Sequence, residues 1–115
     1  MRFAYASRTG NVKSIIDRLG IDAIDVSLSN GIDEDFILFT YTDGYGNVPY
    51  EVEDFLDTSS KHLKGVIVSG NKNYTDTYCM AGDVISKQYN VPVLYKVEDA
   101  GSDEDIAAIA KIINS

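Results

Sequence analysis

Apolar residues fall along this chain in two rhythms. Short runs at residues 2–6, 23–26, 36–41, 65–69 and 91–97 predict strands. Ile37-Leu38-Phe39 and Val66-Ile67-Val68 are continuous, as in strands covered on both faces of a parallel sheet. Between the runs, apolar positions recur at helical spacing. Val12, Ile15, Ile16 and Leu19 stand at i, i+3, i+4 and i+7, and Gly20 stops that helix. Val52, Phe55 and Leu56 mark a second stripe, with Pro49 suited to its first turn. A helix over about 78–88 is expected to turn Met80, Val84 and Ile85 inward. Ile106, Ile109, Ala110 and Ile113 line a last helix, capped by Ser102 or Asp103.

Strands alternating with helices predict an α/β domain spanning 1–115, without repeats or linkers. Five strands fit a flavodoxin-like, doubly wound parallel sheet of order 2-1-3-4-5. One connection is thin. A parallel crossover usually needs a dozen or more residues, and polar residues 27–35, with an Asn30-Gly31 turn, barely suffice. A reduced second helix is therefore expected.

Composition narrows the function. Eighteen acids against ten bases give a net charge of −8. That argues against nucleic acid or an anionic membrane as a partner and is compatible with basic protein surfaces or with simple solubility. Cys79 is the only cysteine and His62 the only histidine, so a thiolate zinc cluster is excluded. His62 reads as a surface residue at a helix end, and Cys79 as a small buried helix residue rather than a reactive thiol. No apolar run approaches a membrane span, and no signal-peptide pattern precedes the first strand, so a cytoplasmic location is expected.

The candidate chemistry sits in three loops that this topology brings to one sheet edge, at the carboxyl ends of strands one, three and four. The first is Ser7-Arg8-Thr9-Gly10-Asn11, followed by Val12. Hydroxyls, an amide and backbone N–H groups converge there on a helix N-terminus, a setting for an anion. It lacks the lysine of the triphosphate loop and the spaced glycines of the dinucleotide fingerprint, which points to a monophosphate such as that of FMN. Taken alone, the motif also fits a helix cap with a polar turn. The second loop, residues 42–48, carries Thr42, Asp43, Gly44, Tyr45 and Gly46; the third, residues 70–77, carries Gly70, Asn71, Asn73 and Tyr74. Tyr45 and Tyr74 offer faces for a flat isoalloxazine, and the asparagines offer hydrogen bonds to its pyrimidine edge. Gly44 or Gly46 permits a peptide near the flavin N5 to flip on reduction. Singly, the tyrosines also fit loop aromatics and the glycines turn residues. Asp43 and Asp76 read as solvated loop charges.

These stretches resemble the NrdI-type flavodoxins, the FMN proteins that serve class Ib ribonucleotide reductase. The match runs through residues 7–12, residues 40–49 ending in Val48-Pro49, Lys64-Gly65-Val66, Ser69-Gly70-Asn71-Lys72-Asn73-Tyr74, Pro92-Val93 and Gly101-Ser102. One departure is Thr75, where the family usually has glycine. The resemblance implies that Ser7, Thr9, Gly10 and Asn11 hold the phosphate. It implies that Gly44 is the peptide answering flavin reduction and that Tyr45 and Tyr74 flank the ring. It further implies that reduced FMN reacts with dioxygen. The superoxide or peroxide-level oxidant would then serve assembly of the dimanganese–tyrosyl radical cofactor in the reductase small subunit, with an electron donor the sequence does not identify. The alternatives are a general electron-transfer flavodoxin, a receiver-type signalling domain and a scaffold that has lost its flavin. A receiver needs an acidic pair after the first strand, where this chain has Ala6-Ser7-Arg8.

Overall fold

The computed structural model describes residues 1–114; Ser115 lies outside the described residues. β3 (Phe36–Tyr41) is the centre of the architecture, and its first five residues are buried. It is flanked by β1 (Arg2–Tyr5) and β4 (Leu63–Gly70), and the edges are β2 (Ile24–Asp25) and β5 (Val93–Glu98). The order is β2-β1-β3-β4-β5, all parallel, as the alternation of elements predicts.

Successive β3 side chains face opposite layers. Ile37 and Phe39 pack with Val12, Ile15 and Ile16 of α1 (Asn11–Leu19) and Ile109 of α4 (Asp103–Ile113). Phe36 and Leu38 pack with Val52, Phe55 and Leu56 of α2 (Tyr50–Ser59) and Ile85 of α3 (Met80–Tyr89). An edge-to-face aromatic pair reinforces each layer: Phe3–Phe39 at 6.2 Å and Phe36–Phe55 at 5.7 Å.

The short crossover holds no α-helix. A single 3-10 turn, Val26–Leu28, follows β2, and buried Val26 and Ile32 fill the core where a helix face would lie. The Ile32 N–H donates to the buried Ser59 hydroxyl at 2.9 Å, which ties the connection to the end of α2. Val26 thus leaves the expected second strand. β1 ends at Tyr5 and β5 starts at Val93, while β4 is longer than expected at both ends.

α3 departs most from the periodic reading. It starts at Met80, because Cys79 takes a left-handed conformation (φ 56°) that stops the helix from extending backwards. Its inward face is Ala81, Gly82 and Ile85, whereas Val84 is 40% exposed and Met80 half-buried. The small residues decide the phase. A Cβ on Gly82 would stand 2.6 Å from Val68 Cγ1, so only a bare backbone lets the helix sit this close to β4. The expected inward position of Val84 is therefore wrong.

Ile85→Ala is expected to cost about 2–5 kcal/mol in urea unfolding, and Val84→Ala to stay within about 0.5 kcal/mol of the parent. Equal losses at the two positions would contradict these helix faces.

Candidate functional site

The first loop leaves β1 through Ala6, whose N–H still pairs with the Phe39 carbonyl at 2.9 Å. Four residues later Gly10 adopts φ 93°, a left-handed backbone that a side chain would strain, and caps α1 without a side-chain cap. The Ser7 hydroxyl accepts from the Lys13 N–H at 3.2 Å. The first-turn N–H groups of Asn11 and Val12 have no intrahelical acceptor. The first turn of α1 also lacks an acid, whereas α2 has Glu51 and Glu53, α3 has Asp83, and α4 has Asp103, Glu104 and Asp105. Three helices thus carry their own negative charge at the positive end of the dipole, and α1 does not.

The second loop closes on itself. Asp43 and Asn47 exchange backbone hydrogen bonds, both 2.8 Å, around a turn with Gly44 at φ 51° and Gly46 at φ 103°. Gly46 is buried, and a Cβ there would lie 2.7 Å from Met80 Sδ. The Thr42 hydroxyl donates to the Ser69 carbonyl at 3.1 Å, joining this loop to the end of β4. The third loop winds into a 3-10 turn, Lys72–Thr77, capped by the Asn71 side-chain oxygen Oδ1, which accepts from the Asn73 N–H at 2.8 Å. Thr75 is not among the residues with positive φ, so its β-branch fits this backbone without strain. Across the two loops Tyr45 and Tyr74 meet edge to face at 5.5 Å.

A cavity of about 420 Å³ opens between the loops, within the roughly 300–1,000 Å³ usual for small-molecule sites. Ser7, Arg8, Thr9, Asn11, Val12, Thr42, Gly44, Gly70, Asn71 and Tyr74 all line it. Gly10, Tyr45, Gly46 and Asn73 do not line it: Gly10 caps α1, Gly46 backs onto Met80, Asn73 is held by Asn71, and Tyr45 packs on Tyr74. The sequence reading missed Tyr41, Asp43, Ser69, Thr77, Cys79 and Asp99 as lining residues. Asp99 belongs to a fourth loop, after β5. The Ser69 hydroxyl donates to its carbonyl at 2.6 Å, and its N–H donates to the Gly70 carbonyl at 2.9 Å. Asp99-Ala100-Gly101 is a turn signature that the sequence did contain, and Asp99 takes φ 52° there.

The cavity's charges are organised. The Arg8 guanidinium bonds the Asp43 carboxylate and lies 4.9 Å from the Tyr41 ring centroid. Asp43 is thus paired, not a free loop charge, whereas Asp76 is exposed as expected. The bond to Asp43, with Tyr41 second, raises the Arg8 pKa. Burial, and then donation to Glu51 at 2.7 Å, push the Tyr41 phenol up to about 12. Burial also pushes the Cys79 thiol up; it caps α3, fully buried, and donates to the Val68 carbonyl at 3.4 Å. His62 is half-buried beside Asp35, at the opposite end of β4 from Gly70. That is roughly 25 Å from the cavity at about 3.3 Å per strand residue. Among the described residues no group of His, Cys, Asp or Glu is arranged to hold a metal, and no helix is long and apolar enough to cross a membrane.

The model of the NrdI flavodoxin-like family matches residues 3–111. The chain belongs to that family. Protein NrdI of Ruegeria sp. (strain TM1040) is 44% identical over 112 residues, covering 90% of this chain and 80% of the relative. Protein NrdI of Macrococcus caseolyticus is 41% identical, covering 92% and 83%. The SPbeta prophage-derived protein NrdI of Bacillus subtilis is 38% identical, covering 91% and 84%. Among solved structures, a short-chain flavodoxin associated with a PDU bacterial microcompartment superposes with a TM-score of 0.73 over 98% of this chain and 93% of its own, at 20% identity. That likeness shows the shared fold. Membership of the NrdI family implies a flavin cofactor.

Tyr41 provides a test of the cavity floor. The folded state favours its neutral phenol, so that preference stabilises the protein fully below about pH 10, the ordinary tyrosine value. It is lost as pH rises through the folded-state value of about 12. The urea midpoint should fall less between about pH 8 and pH 11 in Tyr41→Phe than in the parent. Identical falls would show that Tyr41 is not held neutral by its surroundings.

Proposed function

We propose that this chain is a single-domain FMN flavoprotein that activates class Ib ribonucleotide reductase. The observation that carries the reading is the meeting of three loops around one cavity, beside a helix N-terminus left without an acid, in a member of the NrdI family. Ser7, Thr9, Asn11 and the Val12 N–H take the phosphate, and Gly10 supplies the left-handed turn that lets them converge. The dianion gains charge-assisted hydrogen bonds and the positive end of the α1 dipole. The Gly44 peptide, at φ 51°, is the one that would face the flavin N5. Gly70 and Asn71 bond the pyrimidine edge, and Asn73, whose N–H donates to the Asn71 side chain, supports them from outside the cavity.

Tyr45 and Tyr74 flank the ring after parting from each other. Two rings stacked on a third need about 7 Å between their planes, twice the carbon contact distance of about 3.5 Å. Their edge-to-face contact at 5.5 Å is too close for that. Tyr45 is 78% exposed at the loop tip, so it is the partner free to swing. A flavin held there would supply, once reduced, the electrons that take dioxygen to a superoxide- or peroxide-level oxidant for assembly of the dimanganese–tyrosyl radical cofactor in the reductase small subunit; the chain's own part is to hold and orient it. An electron donor reduces the flavin, and the exchange takes place in the cytoplasm.

Titration of the apoprotein with FMN is expected to give micromolar or tighter binding. Thr9→Ala and Asn11→Ala should each weaken it by roughly ten- to a hundred-fold, the cost of one hydrogen bond to a charged group. Millimolar binding by the parent would sink the flavoprotein reading. The activating role is tested separately. The reduced protein, mixed with the manganese-loaded small subunit and oxygen, should produce a tyrosyl-radical EPR signal above that of a free-FMN control. A signal no larger than the control would leave an electron carrier in place of an activator.

A further inference from the structure

Arg8 stands in the middle of the phosphate loop, between Ser7 and Thr9, where a guanidinium would ordinarily be expected to meet the anion. Here it is turned to another task. It bonds the Asp43 carboxylate on the neighbouring loop and lies over the Tyr41 ring at 4.9 Å. Of the ion pairs among the described residues, this is the one whose two partners both line the cavity.

Asp43 is the residue before Gly44, and its own N–H and carbonyl are both taken up by Asn47 at 2.8 Å. Holding the Asp43 carboxylate therefore holds the root of the turn while leaving the Gly44 peptide itself unbonded to the pair. The surface beneath Arg8 is fixed as well. The Tyr41 hydroxyl donates to Glu51 in the first turn of α2 at 2.7 Å. Arg8 thus joins the loop that opens α1 to the loop that leads into α2. The pair is about half exposed, with side-chain accessibilities of 56% and 40%. Water screens such a pair, so its contribution to stability is small. Its value lies in the position it enforces.

We propose that Arg8 is a positioning residue whose pair with Asp43 couples the phosphate loop to the Gly44 turn, and so sets how readily the bound flavin is reduced. The proposal rests on the flavin reading above. A peptide that reorients beside the ring responds to reduction only as freely as its neighbours permit. With its root fixed by Arg8, the turn adjusts at Gly44 alone. With the pair broken, the whole Asp43–Asn47 segment shifts, and one redox state loses its preferred contact.

The test is a double-mutant cycle read as the first reduction potential of bound FMN in Arg8→Gln, Asp43→Asn and the double variant. If the pair acts by position, both single variants shift the potential in the same direction. A shift of 59 mV corresponds to a tenfold change in relative affinity for the two redox states, and about that size is expected. The double variant should shift no further than either single one. Arg8→Lys, which keeps the charge and a donor, should bring the potential back toward that of the parent. Two charges acting only through space give a different result: removing a cation and removing an anion shift the potential in opposite directions and nearly cancel in the double variant. That outcome, or the absence of a shift in variants that bind FMN and unfold at the parental urea midpoint, overturns the proposal and leaves the flavin reading standing. Failure of the parent to bind FMN would remove the reading on which the proposal depends.

Discussion

Everything in this molecule depends on β3 being covered on both faces. A strand that opens on four consecutive apolar residues and is buried at its first five positions has no side to offer water, so helices must pack above and below it. Those helices can be reached only by crossovers that return the chain in the same direction. The result is a parallel sheet in which all strands end at the same edge. The site is a by-product of that necessity. The loops after β1, β3 and β4 are side by side because the strands beneath them are, and the Thr42–Ser69 bond then ties two strand ends directly together. The loops are free to carry unusual chemistry because the burial below them does not need their side chains.

Much of this was legible in the sequence. The β3 and β4 runs, the stripe of α1 and the short second crossover between β2 and β3 each follow from local pattern, and the structure agrees with them apart from extending β4 at both ends. What was not legible shares a physical cause. Periodicity counts large apolar residues, and the face of α3 is chosen by Ala81 and Gly82, whose contribution is the space they do not occupy. The Arg8–Asp43 pair joins residues far apart in the chain, and no local pattern announces it. Asp99 reaches the cavity only because Ser69 and Gly70 bond its backbone. Ten of the predicted site residues line the cavity because loop chemistry at strand ends is local. The remainder support the lining from behind or beside it.

The distribution of charge explains how so acidic a chain can accommodate an anion. Most carboxylates are spent on exposed faces or on the first turns of α2, α3 and α4, where they complement helix dipoles. The first turn of α1 has none. Of the two carboxylates lining the cavity, Asp43 is neutralised by Arg8 and Asp99 takes part in no ion pair among the described residues. A net charge of −8 therefore says little about the local field that a phosphate would meet.

Cys79 carries a consequence of a different kind. Oxidants attack thiolates, and attack is fastest where the sulfur is ionised and accessible. The only cysteine of the chain is fully buried, its thiol donates to strand carbonyls, and burial pushes its pKa up. It forms part of the wall against which a redox cofactor would sit, yet burial there favours the thiol over the thiolate. The fold thereby keeps its one thiol closed off from whatever group the cavity holds.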